Sequence, residues 1–167
     1  MKKRDLTIGC ALFFLVGIGI GGFFTERRSV QPYPYNHRVH TAKADCTLCH
    51  RGARTGVHAG IPSLEVCTGC HATAPGKNPT PAQVALWEAA RRGEAPPWNR
   101  IYKVPAHVYF SHRRHVMLGQ IECVTCHGEM GEREHPPEFP LKRLKMRDCI
   151  SCHEKERVTA DCTACHR

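Results

Sequence analysis

The stretch Phe110 to His127, FSHRRHVMLGQIECVTCH, governs how the rest of the chain is read. Cys123 and Cys126 flank two residues and are followed at once by His127, the C-x-x-C-H pattern of covalent haem c attachment. Each thiol can add across one haem vinyl group, and the adjacent histidine then sits beneath the iron. Low-spin iron takes a second axial ligand, an imidazole or a methionine sulfur. His112 and His115 stand just upstream, three residues apart and outside any attachment motif. The stretch therefore brings one haem and two spare imidazoles.

The arrangement repeats. NHRVH, with His37 and His40, precedes CTLCH, with Cys46, Cys49 and His50. Further attachment sites are Cys67-Cys70-His71, Cys149-Cys152-His153 and Cys162-Cys165-His166. Five motifs use ten of the eleven cysteines, so five haem c groups are expected. A disulfide framework would need no histidine after every second cysteine, and zinc knuckles would not fix one there. His50, His71, His127, His153 and His166 are the expected proximal ligands.

Twelve histidines less these five leave seven: His37, His40, His58, His107, His112, His115 and His135. The paired histidines His37, His40, His112 and His115 are the strongest distal ligands. Two intervening residues let the members of each pair face different irons. The fifth distal position is open among Met130, Met146, His58, His107 and His135. Met146 is preferred because it lies within the haem-dense segment, and a His/Met haem would have a higher potential than bis-His neighbours.

Composition fits a fold built on cofactors. Beyond Phe24 about 143 residues remain for five haems, roughly 29 each, and so thin a chain has little scope for a separate core. The expected fold is a mostly irregular and α-helical multihaem cytochrome c, class III-like, with one N-terminal transmembrane helix. The formal charge of +9 could suggest nucleic acid. Two propionates per haem offset it, each oxidised haem adding about −1 and each reduced one about −2, for a total near +4 or −1. No nucleic-acid partner is expected.

Residues 1–28 read as the anchor. Lys2, Lys3 and Arg4 precede an uncharged run from Leu6 to Phe24, whose 19 residues rise about 28 Å as a helix, enough to cross the hydrocarbon layer. A cleaved signal peptide would be shorter and end in an A-x-A-like site, for which Gly19-x-Gly21 is a poor match. The basic flank places the N-terminus in the cytoplasm and the haem domain in the periplasm, on the inner membrane. Cys10 reads as a small buried side chain of that helix rather than a lipidation site.

Residues 29–35 form a proline-bearing linker and 36–71 a di-haem unit, in which Gly52, Gly56 and Gly60 mark turns. Residues 72–106 form a haem-free connector whose one helix spans Pro81 to Arg92. Thr80 is its N-cap, Gln83 completes a capping box and Gly93 stops it. Val84, Trp87 and Ala90 share one face. Residues 107–167 form a tri-haem unit, with Glu129 to Pro140 as a surface loop.

From Tyr35 to Arg167 the chain resembles the pentahaem cytochrome c subunit of alternative complex III, a bacterial quinol:electron-acceptor oxidoreductase. The residues that carry the resemblance are NHRVH before CTLCH, Ala59 to Pro62 (AGIP) before CTGCH, and PPWNRIYKVPAHVYFSHRRHV before CVTCHG. LKM before CISCH and the closing DCTACHR extend it. The resemblance implies mostly bis-His haems with one His/Met haem. It also implies polytopic quinol-binding membrane subunits, an iron-sulfur subunit and a mono-haem cytochrome c as partners, and a soluble electron acceptor. The expected role is electron relay with no catalytic residues of its own. A stand-alone tethered electron-transfer cytochrome or quinol dehydrogenase is the alternative. A haem enzyme would need an open iron position, which seven spare histidines disfavour.

Overall fold

The computed structural model describes residues 28–72 and 76–166, with four helical positions at 13, 14, 16 and 17. Most of the expected membrane helix, Cys10 included, lies outside the described residues. Among the described residues no helix is long and apolar enough to cross a membrane.

The architecture is short helices joined by irregular backbone, as the composition implied. In chain order these are α1 (His37–Thr41), α2 (Cys46–Cys49), α3 (Leu64–Thr68), α4 (Pro81–Arg92), α5 (Cys123–His127), α6 (Met146–Lys155) and α7 (Cys162–Cys165). Turns of 3₁₀ helix at Arg51–Ala53 and Met130–Glu132, and a π-helical turn at Arg113–Leu118, lie between them. The described residues contain no strand, only an isolated antiparallel bridge between Val108 and His166.

Three of the shortest helices, α1, α2 and α7, are started by a local polar contact, whereas α3 and α5 have no side-chain cap. Asn36 accepts the Val39 N–H at 3.0 Å to open α1. Asp45 and Asp161 do the same for α2 and α7, each accepting from the N–H and the hydroxyl of the threonine two residues on. Three attachment motifs begin a helical turn at the first cysteine (α2, α5, α7), while those in α3 and α6 lie within a helix already begun.

The connector helix α4 has the expected bounds. Thr80 and Gln83 exchange both bonds of the capping box, at 3.3 and 2.8 Å, and Gly93 adopts φ 65° to close the C-terminus. Its deepest residue is Ala89, one position before the expected Ala90, while Val84, Trp87 and Ala90 are half-buried. The Arg91 guanidinium covers the Trp87 ring at 5.0 Å. α4 packs against α3.

An apolar core is nearly absent. Among the described residues only Ala53, Ala89 and Pro137 are buried, and no large side chain is fully enclosed. The units at 36–71 and 107–167 are nevertheless tied together. His112 and Arg113 donate their N–H groups to the carbonyls of Val57 and Gly56 at 3.0 and 2.9 Å. The Thr41 hydroxyl of α1 donates to the Gly131 carbonyl at 3.2 Å, and Arg38 pairs with Glu134 at 2.8 Å. The segment from Glu129, expected as a free surface loop, thus packs its first turn on α1.

Candidate functional site

The five cysteine pairs and their histidines lie on or at the ends of these short helices. Several of the imidazoles face one another in pairs. The rings of His40 and His71 have centroids 6.2 Å apart, those of His112 and His127 6.3 Å, and those of His115 and His153 6.1 Å. Two iron–nitrogen bonds of about 2 Å, plus roughly 1.1 Å from each nitrogen to its ring centre, put coaxial imidazoles about 6.2 Å apart. All three pairs stand at that spacing. His112 and His115 lie near different attachment motifs, His112 by His127 and His115 by His153, and His40 lies by His71.

His37 lies near both His50 and His40. Burial lowers its pKa to about 4, with the neighbouring His50 and His40 adding to the shift, and its Nδ1 is buried without a hydrogen-bond partner. A neutral, incompletely satisfied imidazole in this position suits a group that binds neutral nitrogen.

Second contacts orient the rings. The Nδ1–H groups of His40, His50, His112, His115 and His153 donate to the carbonyls of Asn36, Gly60, Val57, Ser111 and Thr159, at 2.7, 2.7, 3.0, 2.8 and 2.6 Å. With Nδ1 committed to the backbone, Nε2 is left as the electron-pair donor, the arrangement found around metal-bound histidine. Gly60 presents its carbonyl from φ 80°, a conformation that favours glycine.

Three aromatic residues that motif reading missed hold the imidazoles. Tyr35 stacks on His40, with centroids 4.4 Å apart, and meets His37 edge-on at 4.9 Å. Phe110 repeats the arrangement on His115 and His112. An aromatic residue two positions before the first histidine is the signal that marks it, in YNHRVH and in FSHRRH. Tyr102 lies against the His127 ring at 4.4 Å, donates its hydroxyl to the His127 carbonyl at 3.1 Å and accepts the Leu141 N–H at 3.0 Å.

Thiols of different motifs lie near one another. Burial raises the pKa of Cys46, Cys49, Cys67, Cys126 and Cys149, and a thiol of another motif adds to each shift. Cys123 does so beside Cys46, Cys70 beside Cys49, and Cys49 beside Cys67. Cys152 and Cys149 do so beside Cys126, and Cys165 beside Cys149. These neighbour relations link Cys67/Cys70 with Cys46/Cys49, Cys46 with Cys123, Cys126 with Cys149/Cys152, and Cys149 with Cys165.

Of the remaining residues weighed from sequence, His58 and His135 are exposed and Met130 is half-buried. Met146 opens α6 with 66% of its surface exposed. The His107 ring lies against that of His166, with centroids 5.5 Å apart and planes 22° from parallel.

Free thiols in C-x-x-C-H turns, imidazole pairs at metal spacing and the near absence of an apolar interior among the described residues fit haem c, the cofactor of multihaem c-type cytochromes. Comparison with known proteins supports that class. Residues 108–167 match the family model of cytochrome c7 and related cytochrome c. The chain is also similar to the menaquinone reductase multiheme cytochrome c subunit of Nitratidesulfovibrio vulgaris (strain Hildenborough), at 28% identity over 192 residues, covering 97% of this chain and 91% of the relative.

Proposed function

We propose that this protein is a pentahaem relay, anchored by its N-terminal segment in the inner membrane with the haem domain in the periplasm. It would serve a quinone-linked oxidoreductase complex of the alternative complex III type. Its partners there would be polytopic quinone-binding subunits, an iron-sulfur subunit and a mono-haem cytochrome c, with a soluble carrier at the far end. The observation that carries the relay is the nearness of successive attachment sites, with imidazole pairs at metal spacing at three of them.

In this reading the haems supply one-electron iron chemistry, and everything else is positioning by the chain. Cys46, Cys49, Cys67, Cys70, Cys123, Cys126, Cys149, Cys152, Cys162 and Cys165 would hold the five groups as thioethers. His50 with His37, His71 with His40, His127 with His112 and His153 with His115 would close both faces of four irons. The backbone carbonyls on Nδ1 fix ring orientation and raise ligand basicity. Fixed ligands on both faces exclude substrate from the metal, which suits electron transfer rather than catalysis. Lys and Arg side chains offset the propionates.

The resemblance to the alternative complex III subunit supports quinol oxidation, with electrons passing outward through the row. The relative is named for the reverse direction, menaquinone reduction, which supports a second reading of the same row run backwards. Purification from native membranes tests the assignment. Copurification with polytopic and iron-sulfur subunits, with five added porphyrins by mass spectrometry, is expected. A chain that elutes alone, or that carries fewer porphyrins, overturns it. Stopped-flow mixing of the complex with a quinol or with a reduced soluble cytochrome then separates the two directions.

A further inference from the structure

We infer that His107 is the second axial ligand of the haem attached at Cys162 and Cys165, which makes all five haems bis-histidine. The inference rests on the pentahaem reading above and sharpens it at the one iron that sequence left open.

The geometry is local and well supported by backbone. Val108 and His166 form an antiparallel bridge, and the Tyr109 N–H donates to the Cys165 carbonyl at 2.7 Å. These contacts lay residues 107–109 alongside the last attachment motif and set the His107 ring against the His166 ring at 5.5 Å and 22°. The pair resembles His112 and His127, whose planes are 11° from parallel at 6.3 Å. The rings stand 0.6 to 0.8 Å closer than the 6.1–6.3 Å of the other three pairs. A ring on an irregular segment can retreat by that much when a metal enters between the two.

The bland alternative is a chance pair of surface histidines. Against it stands the distribution of imidazoles. Eight of the twelve are taken by the other four irons, and His166 is fixed as a proximal donor by its motif. His58, His135 and His107 are all exposed, but His107 is the one whose ring is brought to the proximal ring still lacking a partner. Met146 sits in the first turn of α6, one helical turn before Cys149, largely exposed to solvent.

The inference removes the high-potential His/Met haem that the family resemblance implies. A thioether ligand raises the potential of haem iron relative to imidazole, so an all-imidazole row has no such step at its Cys162/Cys165 end.

The test uses the full-length haem-loaded protein and the variants His107→Ala, His107→Met and Met146→Ala. The porphyrin count by mass spectrometry is read first and should stay at five in all four proteins. A lower count in the wild type counts against the pentahaem reading, not against this ligand. Near-infrared magnetic circular dichroism of the oxidised wild type should show imidazole-pair bands and no sulfur-to-iron band. By electron paramagnetic resonance, His107→Ala should convert one haem in five to high spin. His107→Met should restore low spin, introduce the sulfur band and raise the potential of one haem. Met146→Ala should leave every spectrum unchanged. A sulfur band in the wild type that Met146→Ala removes, or a His107→Ala protein still fully low-spin, overturns the inference.

Discussion

The ring of Phe110 lies flat against that of His115, with centroids 4.6 Å apart and planes 24° from parallel. Tyr35 stands in the same relation to His40, at 4.4 Å and 25°. The two halves of the molecule thus share a three-residue device, an aromatic plate and two imidazoles spaced along one turn. The plate meets the first histidine edge-on and stacks on the second. In a chain with almost no apolar interior, such contacts do the orienting that a packed core does elsewhere.

Phe110→Leu should keep the haem count and lower the stability of the holoprotein by about 1 kcal/mol, the usual worth of an aromatic pair beyond its buried area. Phe110→Tyr, which copies the Tyr35 site, should cost less than about 0.5 kcal/mol. Thermal melting followed at the Soret band reads both.

Gly60→Ala places a side chain at φ 80°, a strain of roughly 1 kcal/mol or more, and disturbs the carbonyl that receives the His50 Nδ1–H at 2.7 Å. Weakening that bond makes His50 a poorer donor to ferric iron. Redox titration should show one haem potential displaced upward, with the other four in place.

Replacing Cys123 and Cys126 together by alanine should remove one porphyrin from the mass and break the row in its middle. Replacing Cys67 and Cys70 removes an end instead. After rapid reduction from one side, the first variant should leave part of the haem population oxidised on a fast timescale, and the second should not divide the row.

Asp45 carries a pH signature. Its bonds from the Thr47 hydroxyl and N–H hold the carboxyl below its ordinary 3.8. A depressed carboxyl stabilises the fold fully above its unfolded pKa, and that contribution disappears as pH falls through the lower folded value. Asp45→Asn should therefore melt with a smaller loss between pH 7 and pH 3 than the wild type. Asp45→Ala should cost about 1 kcal/mol at pH 7 through the lost cap.

Local chemistry was legible in the sequence, and long-range arrangement was not. The helix from Pro81 to Arg92 could be bounded because Thr80, Gln83 and Gly93 act on their own neighbours. The expectation that His40, His112 and His115 lie near different attachment motifs came from spacing, and their ring pairs are arranged accordingly. That Tyr35 and Phe110 brace these histidines was written in the two repeats but hidden by attention to ligand types. The contact of His107 with His166 spans nearly sixty residues and depends on one backbone bridge, for which no sequence pattern stands. Likewise the Val57 carbonyl that receives His112 belongs to a glycine-marked turn with no feature pointing 55 residues ahead.

The row of cofactor sites is not laid down in the order in which the polypeptide emerges. Cys46 and Cys49, the earliest pair, end between Cys67/Cys70 on one side and Cys123/Cys126 on the other. The earliest pair thus waits for a neighbour synthesised more than seventy residues later. Closure at a distance makes for slow folding. Covalent tethering keeps each porphyrin in hand through that delay, as a reversibly bound one would not be.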